Sequence, residues 1–269
     1  MERPMSAYLT RAISLHRRPT GEREVMLTLF TYERGRIPVI VRGTHKTAST
    51  LRAATEPLSE GLYYIVRRRG FDLLSEWEPR NDFLPMRFTP ESLAHALYFV
   101  QFPLRFLPPA QPEHAAYYLL RNTLLTLCVC KDYHIVRIIY EIGFLDIAGQ
   151  AVDYLSCAGC GKPADEGRWS FNVEAGGPHC GACAESGNLR FKLPFSRQAA
   201  RLGRNAGRVA AMFASGTFAE DGRGDSLKSA VEAVARGIDM AALRQLRAAL
   251  SRFIEYQFNE AAEKWLVEI

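Results

Sequence analysis

Val25-Met26-Leu27-Thr28-Leu29-Phe30-Thr31 and Gly35-Arg36-Ile37-Pro38-Val39-Ile40-Val41-Arg42 both alternate with period two, and both faces are partly apolar. Strands of that kind suit a closed barrel or a covered sheet. The linking Tyr32-Glu33-Arg34-Gly35 is short and ends in a glycine able to take the left-handed conformation of a hairpin bulge, so the two runs are expected to pair antiparallel. Working outward, a strand precedes them from Tyr8 to Leu15. Two more follow, Leu58 to Val66 and Phe71 to Trp77, joined at the Arg67-Arg68-Arg69-Gly70 corner. About five short strands in about eighty residues is the count of an OB-type barrel. An SH3-like barrel has a similar count, and the pattern does not choose between them. Pro38 lacks an N–H for the ladder and is expected at an edge or bulge.

Charge singles out the same region. Residues 1–80 hold 14 Lys/Arg against 9 Asp/Glu, whereas the remaining residues hold 20 of each, so the net charge of +5 sits entirely in the first eighty residues. A localised positive field is the footprint of a phosphate-backbone binder; a merely solvated Arg-rich surface gives the same count. Arg36 and Arg42 are six residues apart on one strand and so share a face, and Lys46 and Arg52 extend the charge beyond it. Arg67, Arg68 and Arg69 form a second cluster. Phe30, Tyr32, Tyr63, Tyr64 and Trp77 are aromatics able to stack on unpaired bases, with barrel core as the alternative for each.

From Pro90 the period changes to that of helices. Glu91 to Pro103 forms one, Tyr117, Leu120, Leu124 and Leu127 mark a second, and Ile135, Ile138, Ile139 and Ile142 a third. Pro79, Pro85 and Pro90 place the boundary between barrel and helices near residue 80. Residues 81–152 are then the first part of a helical domain, 153–190 a zinc-ribbon insertion, and 191–269 the second helical part. In that last part Arg197, Arg201, Arg204 and Arg208 line one helix face, either a second phosphate contact or a solvated surface. Leu243, Leu246, Leu250 and Phe253 stripe a final helix.

The insertion rests on Cys157-Ala158-Gly159-Cys160 and Cys180-Gly181-Ala182-Cys183, two C-x2-C pairs separated by 19 residues. That spacing lets two turns present four thiolates tetrahedrally to zinc. Four protein ligands leave no open position for water, so one structural Zn2+ is expected, not a catalytic one. His179 adjoins a ligand and is the weaker choice. Trp169, Phe171 and Val173 give the ribbon a strand. Cys128 and Cys130 read as small buried hydrophobes.

The ordered set Thr20-Gly21-Glu22, Leu27-Thr28-Leu29-Phe30-Thr31, Gly35-Arg36-Ile37, Arg42-Gly43-Thr44-His45-Lys46, Ser49-Thr50-Leu51-Arg52 and Glu56-Pro57-Leu58 resembles the N-terminal domain of the RecO family of bacterial recombination mediators. The likeness extends to the cysteine array, which many members carry after a helix similar to Tyr133 to Phe144. His45 departs from it, standing where the family usually has a second basic residue. The resemblance implies binding of single- and double-stranded DNA and annealing of complementary strands. It also implies contact with a RecR-type partner and with single-strand-binding protein, and help in loading the RecA recombinase. No Walker A, H-E-x-x-H or G-x-S-x-G motif occurs, so a non-enzymatic DNA repair protein is expected. The rival readings are a protein-interaction module built on barrel and ribbon, and an RNA-binding OB protein.

No apolar run reaches the roughly 18 residues of a membrane helix. The opening Met1-Glu2-Arg3-Pro4, followed by Arg11, Arg17 and Arg18, resembles neither a secretory signal nor a lipidation site. A cytoplasmic, nucleoid-associated protein is therefore expected.

Overall fold

In the computed structural model, residues 6–21, 24–43, 50–81, 83–164, 167–186, 191–216, 218 and 224–259 are described. Five strands come first: β1 (Ala7–Pro19), β2 (Glu24–Thr31), β3 (Gly35–Arg42), β4 (Glu60–Val66) and β5 (Asp72–Asn81), with helix α1 (Thr50–Ala54) between β3 and β4. Their order is β1-β2-β3-β5-β4, and pairing of β1 with β4 closes the barrel. β2 and β3 pair antiparallel from Thr31↔Gly35 to Glu24↔Arg42, as the alternation predicts. Gly35 has φ +66°, and a Cβ there would run into the Gln111 carbonyl, so both the turn and the close approach require glycine. The β3–β5 ladder is parallel and spans only Val39↔Asp72 and Ile40↔Leu73, so Pro38 lies just before it, on the stretch of β3 that needs no second partner.

Alternation sorts the strand residues. Leu27, Leu29, Ile37, Val39, Val41, Tyr63, Ile65 and Leu74 turn inward as the barrel core. Outward-facing Ile13 and Phe30 are equally buried, because helices cover that part of the wall. These are α2 (Leu84–Arg87), α3 (Pro90–Phe106) and α4 (His114–Val129). Tyr117 of α4 lies 5.8 Å from the Phe30 ring. α3 continues through Pro103, where the sequence pattern ends it, and stops at Phe106; the proline is buried within the helix and removes a single intrahelical donor. By packing, residues 1–124 form one compact unit, which takes in the barrel, α2, α3 and the first part of α4.

Residues 125–269 form the second unit. It contains α5 (Tyr133–Ile147), β6 (Trp169–Asn172), β7 (Gly177–Cys180), α6 (Gly181–Ser186), β8 (Lys192–Phe195), α7 (Arg197–Ala214), α8 (Gly224–Ala235) and α9 (Met240–Phe258). Ile135, Ile138, Ile139 and Ile142 of α5 are buried, and α7 approaches them along a face of small residues: Ala206 and Ala210 are buried, and a Cβ on Gly207 would sit 3.6 Å from Ile142. Ser196 caps α7 by accepting from the Ala199 N–H at 3.2 Å. The ribbon sheet has the order β7-β6-β8. Its third strand, Lys192–Phe195, joins the sheet by long-range pairing with β6. Phe171 on the central strand packs against Phe195 at 5.5 Å and Phe253 of α9 at 6.0 Å. Among the described residues no helix is long and apolar enough to cross a membrane.

Candidate nucleic-acid interface and metal centre

The hairpin of β2 and β3 does not leave its two arginines equivalent. Arg42 is exposed at the end of β3, where it pairs with Glu24 across the ladder at 2.7 Å. Arg36 faces the same side but lies where the helices cover the wall. Its Nη2 donates to the Leu107 carbonyl at 3.1 Å, its own carbonyl accepts from Ala110 at 2.9 Å, and its Nε is buried without a partner. Arg36 therefore joins barrel to helices and is not a free cation on an open face. Arg52 is exposed on α1. Lys46 lies outside the described residues.

Arg67, Arg68 and Arg69 are exposed in the β4–β5 corner. The parallel register, Val39 beside Asp72, places this corner level with the Arg36 end of β3. Asp72 itself is level with Val39, three residues or about 10 Å short of Arg42 at 3.3 Å per residue, and the corner turns back from there, so the two basic clusters are distinct. The aromatics divide as well. Phe30 and Tyr63 are core, Trp77 packs on the core, and Tyr32 stacks on His114 at 4.2 Å, leaving Tyr64 as the exposed one at 41%.

Sequence reading missed a set of cations held over rings. The Arg11 guanidinium lies 4.3 Å from the Tyr32 ring centre and the Arg34 guanidinium 4.1 Å from that of Tyr8, with Arg67 5.5 Å from the same ring. Nothing in the spacing of Arg11 and Arg34 signals this; it arises from barrel closure. Also unforeseen was the buried pair behind the covered wall, where Arg121 Nε donates to Glu60 Oε1 at 2.5 Å and the Tyr117 hydroxyl approaches the same oxygen at 3.5 Å.

The four cysteines converge as their spacing predicts. The sulfurs of Cys157, Cys160, Cys180 and Cys183 all lie within 4.8 Å of one another. In the first turn the Gly161 N–H donates to the Cys157 carbonyl and the Cys157 N–H to the Lys162 carbonyl, both at 2.8 Å, with Gly161 at φ +72°. The second turn leaves β7 at Cys180, whose N–H donates to the Cys157 sulfur at 3.3 Å. Burial pushes the Cys157 thiol up, but N–H groups of Cys180, Cys160 and Gly159 aimed at its sulfur bring it down to about 6. Cys183 is pushed up to about 12 by hydrogen bonds with Cys160, Cys180 and Cys157. Four sulfurs this close share protons unless a cation binds them. His179 faces away from that role, its Nδ1 3.2 Å from the Gly177 carbonyl oxygen.

Among known proteins, residues 5–83 match the family model described as Recombination protein O N terminal, and residues 87–215 match Recombination protein O C terminal. Similar curated proteins are named DNA repair protein RecO. That of Desulforamulus reducens is 28% identical over 193 residues, 72% of this chain and 74% of that protein. That of Mannheimia succiniciproducens is 29% identical over 153 residues, 56% of this chain and 66% of that protein. That of Bacillus pumilus is 29% identical over 182 residues, 68% of this chain and 70% of that protein.

Proposed function

This chain belongs to the RecO family of DNA repair proteins, and from that premise we propose that it is a non-enzymatic recombination mediator whose OB-type barrel binds DNA through the phosphate backbone. The observation that carries this reading is the charge: the whole net excess of +5 falls in the residues that build the barrel and its first connections. Arg42 and Arg52, with Lys46 between them in the sequence, are proposed as one set of contacts, and Arg67, Arg68 and Arg69 as the other. Two separated clusters suit a strand that crosses the barrel better than a single point contact. Binding is sequence-tolerant and serves single and double strands alike. Neutralising two backbones removes their mutual repulsion, which is the physical basis for annealing complementary strands. Contacts with a RecR-type partner and single-strand-binding protein, and help to a RecA-type recombinase, follow from the family and complete the mediator role.

The cysteine centre is proposed to hold one zinc ion. Soft thiolates select such a metal, and the 3.8 Å between the sulfurs of Cys160 and Cys180 matches the roughly 3.8 Å edge of a tetrahedron with Zn–S bonds of about 2.3 Å. When bound, zinc supplies four strong bonds that fix the ribbon's two turns; the residues do the rest by packing Trp169 beside Cys157 and Cys180.

The test is anisotropy of a labelled single-stranded oligonucleotide across a salt series. Affinity should fall with a double-logarithmic slope of about 0.7 per neutralised phosphate. Combining Arg42→Ala, Lys46→Ala and Arg52→Ala should reduce that slope by about 2. An unchanged slope and affinity would remove these residues from the interface.

A further inference from the structure

A cavity of about 340 Å³ opens in the second unit between α5, residues 152–155 and α7. We propose that it is a nucleotide pocket, in which one unpaired base of a bound single strand enters between Leu145 and Leu155 while the flanking phosphates meet Arg204 and Arg208 at the rim. This rests on the DNA-binding reading above and adds to it a second contact, outside the barrel.

Three observations converge on this site. First, Arg201, Arg204 and Arg208 are exposed on α7 and have no carboxylate partner among the described residues. They rise about 4.5 and 6 Å along the helix, a spacing at which they can follow successive phosphates. Second, α7 presents Gly207 and Ala211 to the cavity four residues apart, and these small residues keep its α7 wall low, while Gly203 is taken up by packing against the Tyr154 ring. Third, the cavity is lined by Tyr154, only 5% exposed, whose hydroxyl has no hydrogen-bond partner. Burial keeps that phenol protonated, with the charges of Glu141 and Asp146 adding to the effect. An orphaned buried donor is the group that a base carbonyl or ring nitrogen would satisfy.

The remaining polar walls choose the ligand. Asp146 and Asp153 also line the cavity, and Asp153 is held in place by accepting from the Leu155 N–H at 2.8 Å. Carboxylates accept from the exocyclic amino groups of cytosine, adenine or guanine. An acidic peptide, the other ligand that two arginines beside an apolar slot would suit, would set carboxylates against these aspartates, whereas the base that enters the cavity is uncharged and its phosphates stay at the arginine rim.

The experiment compares a labelled single strand with the same backbone lacking bases, using the full chain across a salt series. The unaltered protein should prefer the base-bearing strand about tenfold. Ala211→Trp, at an exposed rim position, should abolish that preference while leaving the salt slope unchanged. Arg204→Ala with Arg208→Ala should lower the slope by about 1.4. Retention of the preference by Ala211→Trp, or of the slope by the double arginine variant, overturns the pocket while salt-dependent binding upholds the barrel reading. Absence of binding by the unaltered protein overturns both. Displacement of an acidic peptide by Ala211→Trp, without any base preference, reassigns the cavity to a protein partner and also overturns the proposal.

Discussion

The barrel and the ribbon are both small sheets built from short strands, yet they are held in opposite ways. The barrel encloses ten mutually packed buried residues from Ala12 to Leu74. The cluster at the ribbon's knuckles consists of Cys157, Trp169 and Cys180, with Ala164 and Cys183 at its margin. Burial of apolar area stabilises the first without help. The second has too little such area, and its sulfurs resist crowding unless a cation draws them together. A closed sheet therefore carries its own stability, whereas a two-turn knuckle would take most of its stability from the metal proposed for it.

Removing the metal should produce the largest effect. Metal binding at such a site contributes about 10 kcal/mol or more to local folding. Chelation or Cys180→Ala should therefore open residues 157–183 to protease while the barrel remains resistant. Elemental analysis of the intact protein should find about one zinc per chain. Metal-free protein with an equally resistant ribbon would sink the contrast.

The converse perturbation is directed at the barrel side. Arg121→Ala strands the buried Glu60 carboxylate, whose side chain is 9% exposed, and removing one member of a buried ion pair costs about 3–5 kcal/mol. Chemical denaturation should show that loss in the unit containing the barrel, with zinc content unchanged. Glu60→Gln with Arg121→Met should recover much of it, since the cost comes from the unpaired charge. If the single variant were as stable as the parent, the buried pair would have no part in holding the wall to its helices.

How much of this was legible in the sequence follows from the same contrast. The cysteine centre depends on a local rule, two residues between the cysteines in each of two turns, and all four residues could be named directly. The barrel strands were legible because period two is local. What depended on tertiary cover was not. Arg36 has the sequence environment of a surface cation, and only the return of residues 107–111 onto the hairpin turns it into a joint. Phe30 and Tyr63 are buried, as barrel core is the reading their residue types favour, but which aromatic stays exposed, Tyr64, was not legible. Nor was the place of β8 in the ribbon sheet, because it rests on long-range pairing with β6.

At the open surface the expected effects become small for stability and remain measurable for binding. Arg42 and Glu24 form an exposed pair, and such pairs contribute at most about 1 kcal/mol. Arg42→Ala should thus leave denaturation nearly unchanged while reducing the salt slope for single-stranded DNA by about 0.7. A large stability loss with no change in slope would make Arg42 a second joint like Arg36.

The smallest effect separates the two sheets by pH. Tyr8 on β1 donates to Asp72 Oδ2 of β5 at 3.0 Å, and burial, then this hydrogen bond and the Asp72 charge, push its phenol up to about 12 despite Arg34 and Arg67. The folded value lies above the unfolded value near 10, so the protonated phenol favours the folded state. Its contribution is complete below pH 10 and is lost as pH rises toward 12. For a partly exposed hydrogen bond this amounts to no more than about 1 kcal/mol. Tyr8→Phe should flatten that alkaline decline in stability measured by denaturant titration, and an identical decline in the variant would assign it to another group. The ribbon should respond in the opposite direction, because thiolates bind the proposed metal only when deprotonated and acid would release it. Alkali thus weakens one contact of a barrel that otherwise persists, while acid removes what holds the knuckle.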